Sequence, residues 1–331
     1  MFQTEIIIFF QSLGSDFLTV IFKIFTEIGR SHFTIALLIT IMFGVNMRTG
    51  FILSWAVIWN GIFTDFFKNI FALPRPANVD SNVLLPGKDY PNPTTFKNMG
   101  AKGFFGELPR EVVDHLRINR IDSWGFPSGH ASNALTLWGS IFLFFKKTWV
   151  KIIAVAFVIF IPLSRMYLGR HFLADILGGF TLGMMITLLF FKFVFKNKAL
   201  RMFLFEESEK LKINIKSTLF ITYILIIPVL LFLIPKINPE IPANLLGINL
   251  AFFLIRIRGF PRDSGTALVR TGRVLITGII FFGLTFLIKN LTSILFLNEI
   301  IAVECAIKII SISMSIWIST KVNLKLGYFQ K

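Results

Sequence analysis

The sequence predicts an all-α protein that forms a polytopic transmembrane helical bundle. Its 331 residues are 54% hydrophobic and its mean hydropathy is +0.72, which argues against a soluble domain of this length. Charged residues fall in clusters, and long uncharged runs remain at 31–47, 123–145, 176–191 and 217–235. A helix that crosses the hydrocarbon core needs roughly 20 residues. The chain is therefore expected to cross the membrane several times.

The apolar pattern predicts nine spans and leaves the start of the chain open. The spans are expected near 31–47, 50–71, 127–146, 149–168, 171–195, 217–234, 241–256, 273–288 and 294–319. The first 28 residues begin apolar but are interrupted by Gly14, Asp16, Lys23 and Glu27, so they either cross the bilayer or lie along it. No cleavable signal peptide is expected, because a basic segment and a small-residue cleavage site are lacking there.

Composition along the chain predicts four regions. They are N-terminal interfacial or membrane helices at 1–30, a catalytic core at 31–200, a basic cytoplasmic linker at 201–216 and an appended transmembrane module at 217–331. The core carries a polar insertion at 76–125, which is either a solvated loop or a cap over the functional site. Within this insertion, 107–122 is expected to form a short amphipathic helix with Val112, Val113 and Leu116 on one side.

The charges indicate a membrane protein and not a nucleic-acid-binding protein. The formal net charge is +16, but the basic residues lie between apolar spans, as is typical of topology signals. Glu304 and Lys308 are four residues apart in the last predicted span, which predicts a self-neutralising pair. The single cysteine, Cys305, excludes an internal disulfide.

One segment carries the residue types of covalent phosphoryl transfer. Ser164 and Arg165 precede His171 and Asp175 beside an apolar helix. His171 and Asp175 are four residues apart, so on a helix they share a face and the carboxylate can reach the imidazole. In this interpretation His171 is the nucleophile, Asp175 fixes its tautomer, and Arg165 neutralises phosphate oxygens.

Two earlier stretches add cations and an anion-binding turn. Lys68 and Arg75 are seven residues apart at the end of an apolar helix and can line one helical face until Pro74 and Pro76 break it. Interface anchoring is the simpler role for either cation alone. The second stretch, 126–130, reads Phe-Pro-Ser-Gly-His directly before an apolar run, and a helix start with free N–H groups favours an anion. His130 in that turn is a candidate general acid.

Together the stretches read Lys-x6-Arg-Pro, Pro-Ser-Gly-His and Ser-Arg-x5-His-x3-Asp, in that order. This arrangement resembles the type-2 phosphatidic acid phosphatase family, within the larger group shared with acid phosphatases and vanadium haloperoxidases. The resemblance covers about 31–195 and no motif position departs from it. It implies a six-helix phosphatase-type core, to which the spans after 216 add about four more.

The resemblance also implies a role for each motif residue. His171 would form a phosphohistidine, Asp175 would hold its other nitrogen, and His130 would protonate the leaving alkoxide and later activate water. Lys68, Arg75, Ser128, Gly129 and Arg165 would bind the phosphoryl oxygens, with Pro76, Pro127 and Ser164 as neighbouring motif positions. No metal and no cofactor are expected, since ammonium and guanidinium groups take the place of a divalent ion.

The distribution of basic residues predicts which membrane side the site faces. Alternating spans bring all three motifs to one side, where 76–125 has six basic and six acidic residues. The opposite side holds the basic groups at 146–151, 192–216 and 256–273 together with those of the tail. Because cytoplasmic loops are enriched in Lys and Arg, the site is expected on the non-cytoplasmic face, which in a bacterium is the outer face of the inner membrane.

The leading prediction is a metal-independent integral membrane lipid phosphate phosphatase. Its partners would be a lipid phosphate substrate and membrane lipids, with no nucleic acid; the oligomeric state is not predicted. Candidate substrates are undecaprenyl diphosphate, phosphatidate or phosphatidylglycerophosphate, lipid A phosphate and sphingoid-base phosphate. Two alternatives stay open: a phosphotransferase that passes the phosphoryl group to a second lipid, and a catalytically silent transporter or scaffold.

Overall fold

The computed structural model describes residues 1–86, 90–119, 121, 123–205, 215–294 and 300–330. Over this part of the chain the protein is helical, and its one antiparallel bridge joins Arg262 to Gln330. The predicted all-α class is confirmed. Lys88, Asp89, Arg120 and Asp122 of the insertion, and 206–214 of the predicted linker, lie outside the described residues.

Helices make up most of the described chain. They are α1 (Glu5–Ser12), α2 (Asp16–Ile28), α3 (Ser31–Ile39), α4 (Met47–Phe71), α5 (Pro76–Val79), α6 (Arg110–Ile118), α7 (Gly129–Phe144), α8 (Thr148–Tyr167), α9 (Leu173–Leu189), α10 (Lys198–Phe205), α11 (Ile215–Leu231), α12 (Glu240–Arg256), α13 (Ala267–Ile294) and α14 (Ile301–Lys325). Two of them continue as π-helical turns, α3 at Thr40–Val45 and α9 at Phe190–Phe195.

Within the described residues, five helical segments are long and apolar enough to cross a membrane. They are Met47–Val79, Thr148–Tyr167, Leu173–Val194, Ala267–Ile294 and Ile301–Lys325. A sixth span results if α2 and the following Ser31–Val45, which are bent by 56°, count together. The predicted polytopic bundle is confirmed, but the predicted number of nine spans is not reached. The predicted spans 127–146, 217–234 and 241–256 are helices of only 16 or 17 residues.

The contacts divide the chain into two compact units. The first comprises Met1–Thr34 with Phe63–Leu188, and the second comprises Ile35–Ile62 with Leu189–Lys331. All three sequence motifs lie in the first unit. Residues 35–62 group with the C-terminal region, which differs from the boundary near residue 200 that composition suggested. The functional division predicted from the sequence stays a prediction.

Glycines on α9 bring α7 and α9 close together in the first unit. A Cβ on Gly179 would lie 2.6 Å from the Ser128 carbonyl oxygen, and one on Gly183 would lie 2.5 Å from that of Ser132. Small residues four apart permit this close approach of membrane helices. The packing places the start of α7, with its Pro-Ser-Gly-His turn, against the start of α9.

The polar insertion contains the predicted amphipathic helix. Val112, Val113 and Leu116 of α6 are buried in one cluster with Ile7 of α1 and with Phe172, the neighbour of His171. The prediction for this helix is confirmed. The insertion is thereby packed onto both the N-terminal helix and the segment that carries the predicted nucleophile.

A side chain of α6 also holds the end of α4. The Arg117 guanidinium donates to the carbonyl oxygens of Phe71, at 2.9 Å, and Ala72, at 3.3 Å. The first carbonyl ends α4 and the second belongs to the residue that follows it, where no further helical N–H reaches either of them. The insertion therefore fixes the helix end from which the first motif continues.

A polar contact joins three helical segments of the second unit. Pro228 in α11 has no N–H, which leaves the Ile224 carbonyl oxygen without its helical partner. The Asn249 amide of α12 donates to that oxygen at 2.6 Å, and the Asn249 Oδ1 accepts from the Trp55 Nε1 at 2.9 Å. Asn249 therefore compensates for a proline on a neighbouring helix.

Asn249→Ala is expected to lower the free energy of unfolding by about 2–3 kcal/mol, because it leaves a buried carbonyl and a buried indole N–H unpaired. In a Pro228→Ala background the cost should fall by about 1 kcal/mol, since residue 228 then supplies an N–H to Ile224. SDS-driven unfolding in mixed micelles measures all four proteins. Equal costs in both backgrounds would contradict this account.

The predicted pair of Glu304 with Lys308 is wrong. The Lys308 ammonium donates instead to the Glu240 carboxylate, at the start of α12. Four-residue spacing permits a contact along one helix. Because α12 packs against α14, however, the Glu240 carboxylate of α12 also comes within reach of Lys308. The charge pair therefore links two helices of the second unit.

Candidate active site

His171 and Asp175 form a buried pair. The His171 Nδ1 lies 3.2 Å from the Asp175 Oδ2, and the side chains are 2% and 0% exposed. The same oxygen accepts the Phe172 backbone N–H at 2.9 Å, so it acts as an acceptor for both groups. An ionised carboxylate is an acceptor only, so opposite an ionised Asp175 the proton lies on Nδ1 and the lone pair is left on Nε2.

The start of α9 explains this geometry. The helix begins at Leu173, so His171 lies before it. The two residues therefore do not share a helical face, although their four-residue spacing had suggested that they would. Asp175 is the third residue of the helix and reaches back to the Phe172 N–H, as the acidic residue of a capping box does. One carboxylate thus caps the helix and orients the imidazole.

A glycine turn leads from α8 to His171. α8 ends at Tyr167, and Gly169 has φ +66°, a left-handed conformation that favours glycine. A Cβ there would also lie 2.5 Å from the Leu84 carbonyl oxygen. The turn is therefore fixed both by its backbone conformation and by the insertion that packs on it.

Backbone hydrogen bonds bring the three motifs together. The Ser128 N–H donates to the Asp175 carbonyl oxygen at 2.8 Å, which joins the second motif to the third. The Gly125 N–H donates to the Leu73 carbonyl oxygen at 2.7 Å, which joins the second to the first. The site is therefore assembled from segments that are far apart in the sequence.

Lys68 and Arg75 lie in this site, but not on one helical face. α4 ends at Phe71, before Arg75 is reached, so the prediction that both line one helix is wrong. They bind neighbouring residues instead: the Lys68 ammonium donates to the Trp124 carbonyl oxygen at 3.3 Å, and the Arg75 guanidinium donates to the Ser123 hydroxyl at 2.8 Å. Ser123 and Trp124 thus position both cations.

His171 is surrounded by positive charge. It lies between the spans Thr148–Tyr167 and Leu173–Val194. Burial lowers the pKa of His171 well below its usual range, and the charges of Arg75, Lys68 and Arg165 act in the same direction. The imidazole is therefore neutral at neutral pH, as a nitrogen nucleophile must be.

The remaining motif residues lie around the same pair. Arg165 is 8% exposed, and the Nε atoms of Arg75 and Arg165 have no hydrogen-bond partner among the described residues. Ser128 is buried and caps α7, where its Oγ accepts the Ala131 N–H at 3.4 Å. Gly129 is the first residue of that helix, so its N–H is free of helical bonding. Guanidinium and backbone N–H groups of this kind suit a phosphoryl group.

His130 is held by a residue that sequence reasoning missed. A Cβ on Gly29, at the end of α2, would lie 2.8 Å from the His130 Cδ2, so the absence of a side chain there makes room for the ring. The buried His130 Nε2 has no partner among the described residues. The ring is thus placed by packing and keeps a nitrogen available for proton transfer.

The three secondary residues have structural surroundings. The Ser164 hydroxyl donates to the Ile161 carbonyl oxygen at 2.6 Å and lies 2.7 Å from the Thr26 hydroxyl, which ties α8 to α2. Pro76 is the first residue of α5, and Pro127 lies in the turn before α7. These residues therefore stabilise the segments that carry the site.

Gly125→Ala is expected to lower kcat about 100-fold, although the residue touches no reacting atom. The added Cβ would lie 2.9 Å from the Asp175 Oδ2 and 2.9 Å from the Pro74 carbonyl oxygen. Misplacement of the orienting carboxylate by about 1 Å has effects of this size. Gly61→Ala is the control, since its Cβ has an ordinary 3.5 Å contact with Ile241. Wild-type kcat in Gly125→Ala would contradict the expected displacement.

Fold and site together define a class: a polytopic membrane protein whose site, assembled from three chain segments, holds a buried histidine–carboxylate pair and three cations. The chain matches the PAP2 superfamily over residues 49–199. It is 40% identical over 140 residues to phosphatidylglycerophosphatase B of Bacillus subtilis, a match that covers 38% of this chain and 69% of the relative. The chain belongs to the PAP2 superfamily and is a membrane phosphatase.

A second relative is the lipid A 4'-phosphatase of Bacteroides thetaiotaomicron. It is 32% identical over 73 residues, which are 22% of this chain and 32% of that protein. No solved structure matches the chain. The superfamily match ends at residue 199, so α11 to α14 lie beyond it.

Proposed function

We propose that the chain is a metal-independent lipid phosphate phosphatase that acts through a phosphohistidine at His171. The observation that carries this proposal is the bond between the His171 Nδ1 and the Asp175 Oδ2 at 3.2 Å. It directs the Nε2 lone pair away from the carboxylate, within a site whose cations come from separate segments. This arrangement suits attack on a phosphorus atom whose oxygens are neutralised.

In the first step the His171 Nε2 attacks phosphorus in line. A nitrogen–phosphorus bond forms and the bond from phosphorus to the lipid oxygen breaks, while Asp175 stabilises the charge that develops on the ring. His130, which takes up a second proton when the anionic phosphate binds, gives that proton to the departing lipid alkoxide and becomes neutral. Lys68, Arg75 and Arg165 stabilise the charge of the transferring phosphoryl group.

In the second step water replaces the lipid. His130, now lacking its proton, takes one from a water molecule that attacks phosphorus. The nitrogen–phosphorus bond breaks, inorganic phosphate leaves, and His171 returns to its neutral form. Both steps use the same cations, so the enzyme needs one phosphate-binding site only.

The donor set supports the proposed metal independence. The groups placed to meet phosphate are one ammonium, two guanidiniums and the hydroxyl and N–H groups at the start of α7. Cations of this kind repel a divalent ion, and the carboxylate of Asp175 is engaged by His171 and the Phe172 N–H. Mg²⁺ sites are instead built on carboxylates free to coordinate it.

The relatives suggest a phosphomonoester with a polar group between phosphate and acyl chains. The longer match is with a phosphatidylglycerophosphatase, so phosphatidylglycerophosphate is our first candidate and a lipid A phosphate is the second. Both relatives are bacterial. The basic residues around 146–151 and 192–216 favour the bacterial inner membrane with the site on the outer face.

The test is phosphate release by the purified protein in detergent with excess chelator. The panel comprises phosphatidylglycerophosphate, phosphatidate, a lipid A phosphate and undecaprenyl diphosphate. We expect release from at least one phosphomonoester at an unchanged rate after chelation. Release that needs a divalent ion would overturn metal independence, and phosphate found only on an added lipid acceptor would show a phosphotransferase.

A further inference from the structure

We propose that residues 102–106 of the insertion, which we call the Phe104–Phe105 loop, enter the membrane interface and contact lipid. The loop is a tight turn closed by the Gly106 N–H, which donates to the Gly103 carbonyl oxygen at 2.9 Å. Phe105 is 84% exposed and Phe104 47% exposed, with ring centroids 5.0 Å apart. Two large aromatic side chains at a turn are costly in water, so the loop needs an apolar partner.

The base of the loop is anchored at the end of a span. The Met99 N–H donates at 3.2 Å to the carbonyl oxygen of Val79, the last residue of the span Met47–Val79. The Ala101 N–H donates at 2.9 Å to the Phe2 carbonyl oxygen, and Ala101 and Leu108 on either side of the loop are buried. The base of the loop is therefore tied to the residue at which the apolar helical segment Met47–Val79 ends.

Chain length limits how far the loop can project. Six residues separate Met99 from Phe105, and each residue spans at most about 3.6 Å, so the tip lies within about 22 Å of that anchor. The headgroup region lies within this distance of the end of a span, since it is about 5–8 Å thick on each side of the hydrocarbon core. Phe105 can thus reach lipid headgroups without a change in the anchored residues.

The charges beside the loop fit the same partner. Lys97 and Lys102 precede the two aromatic residues in the sequence and are exposed. The exposed Glu107 follows Phe105 by two residues, so the region around the loop carries two basic groups and one acidic group. Aromatic residues are enriched at membrane interfaces, and exposed lysines add attraction to anionic lipids. A loop that binds another protein would not have to be anchored at the end of a span. These observations therefore favour the bilayer surface as the partner of the loop.

The direct test measures where residue 105 lies. Cys305 is the single cysteine, so a Cys305→Ser background permits a spin label at Phe105→Cys in vesicles of phosphatidylglycerol and phosphatidylethanolamine. We expect oxygen, which concentrates in lipid, to relax this label more than a water-soluble nickel chelate does. The control is Glu111→Cys, an exposed position on α6 of the same insertion, where the chelate should dominate. A label at 105 as accessible to the chelate as the label at 111 overturns the proposal.

A second measurement asks what the contact does, and it rests on the proposed function. The double variant Phe104→Ser, Phe105→Ser should raise KM for a lipid phosphate in vesicles about tenfold, with kcat unchanged. Hydrolysis of a short-chain, soluble phosphate ester should also stay unchanged, because the loop touches no reacting group. Equal losses on both substrates would overturn a role in lipid contact.

The two experiments fail separately. A label in lipid on a protein that releases no phosphate would overturn the proposed function and support the loop. A label in water on an active phosphatase would overturn the loop alone.

Discussion

His171→Ala is expected to lower phosphate release about 10⁵-fold or more, because it removes the atom that forms the bond to phosphorus in the proposed mechanism. His130 serves in proton transfer in that mechanism, so it is not expected to replace the lost nucleophile. The measurement is phosphate release beside acid-labile labelling of the protein by a substrate with radioactive phosphate. Both signals should vanish together.

The controls separate chemistry from folding. His171→Gln keeps an amide that can donate to Asp175, so its thermal stability should stay closer to wild type while its activity is lost. His32→Ala removes an exposed histidine of α3 and should leave activity unchanged. Acid-labile labelling that persists in His171→Ala would contradict a phosphohistidine at this position.

The motif residues could be predicted from the sequence because each motif is short, so that local spacing decides which of its side chains can meet. Four-residue spacing was enough to bring Asp175 to His171, even though the helix begins only at Leu173. The contact survives this difference because an acidic third residue reaches back over the helix start. Similarly, the helical spacing of Val112, Val113 and Leu116 was enough to predict the buried face of α6.

The residues that position the motifs could not be predicted in the same way. Gly29, Gly125, Gly179 and Gly183 act by leaving room for an atom on a segment distant in the sequence. A single sequence gives no sign of which glycine faces a distant neighbour. The signal that could have found Gly125 is its place directly before the Phe-Pro-Ser-Gly-His turn.

Contacts between side chains of different helices could not be predicted from the sequence either. Lys308 has an acidic residue four positions away, yet its partner is Glu240. Pro228 marks an unpaired carbonyl at Ile224, but only the packing of α11 on α12 shows that Asn249 binds it. Local spacing predicts which contacts are possible, and the packing of helices decides among them.

Asp175→Asn is expected to lower kcat about 10²–10³-fold, and Asp175→Ala up to about 10⁴-fold. The Asp175 Oδ2 accepts both from the His171 Nδ1 and from the Phe172 N–H. An asparagine amide nitrogen in that place would face two donors, so the amide oxygen should occupy it. The imidazole would then keep its orientation and tautomer.

The asparagine variant would therefore lose only the negative charge that stabilises the ring as the phosphoryl group is transferred. The alanine variant would lose that charge together with both hydrogen bonds, so its defect should be larger. Steady-state kinetics on the best substrate, with thermal stability measured beside it, decide the order. Equal defects in the two variants would contradict the geometry, since the Phe172 N–H would then not be fixing the side chain at residue 175.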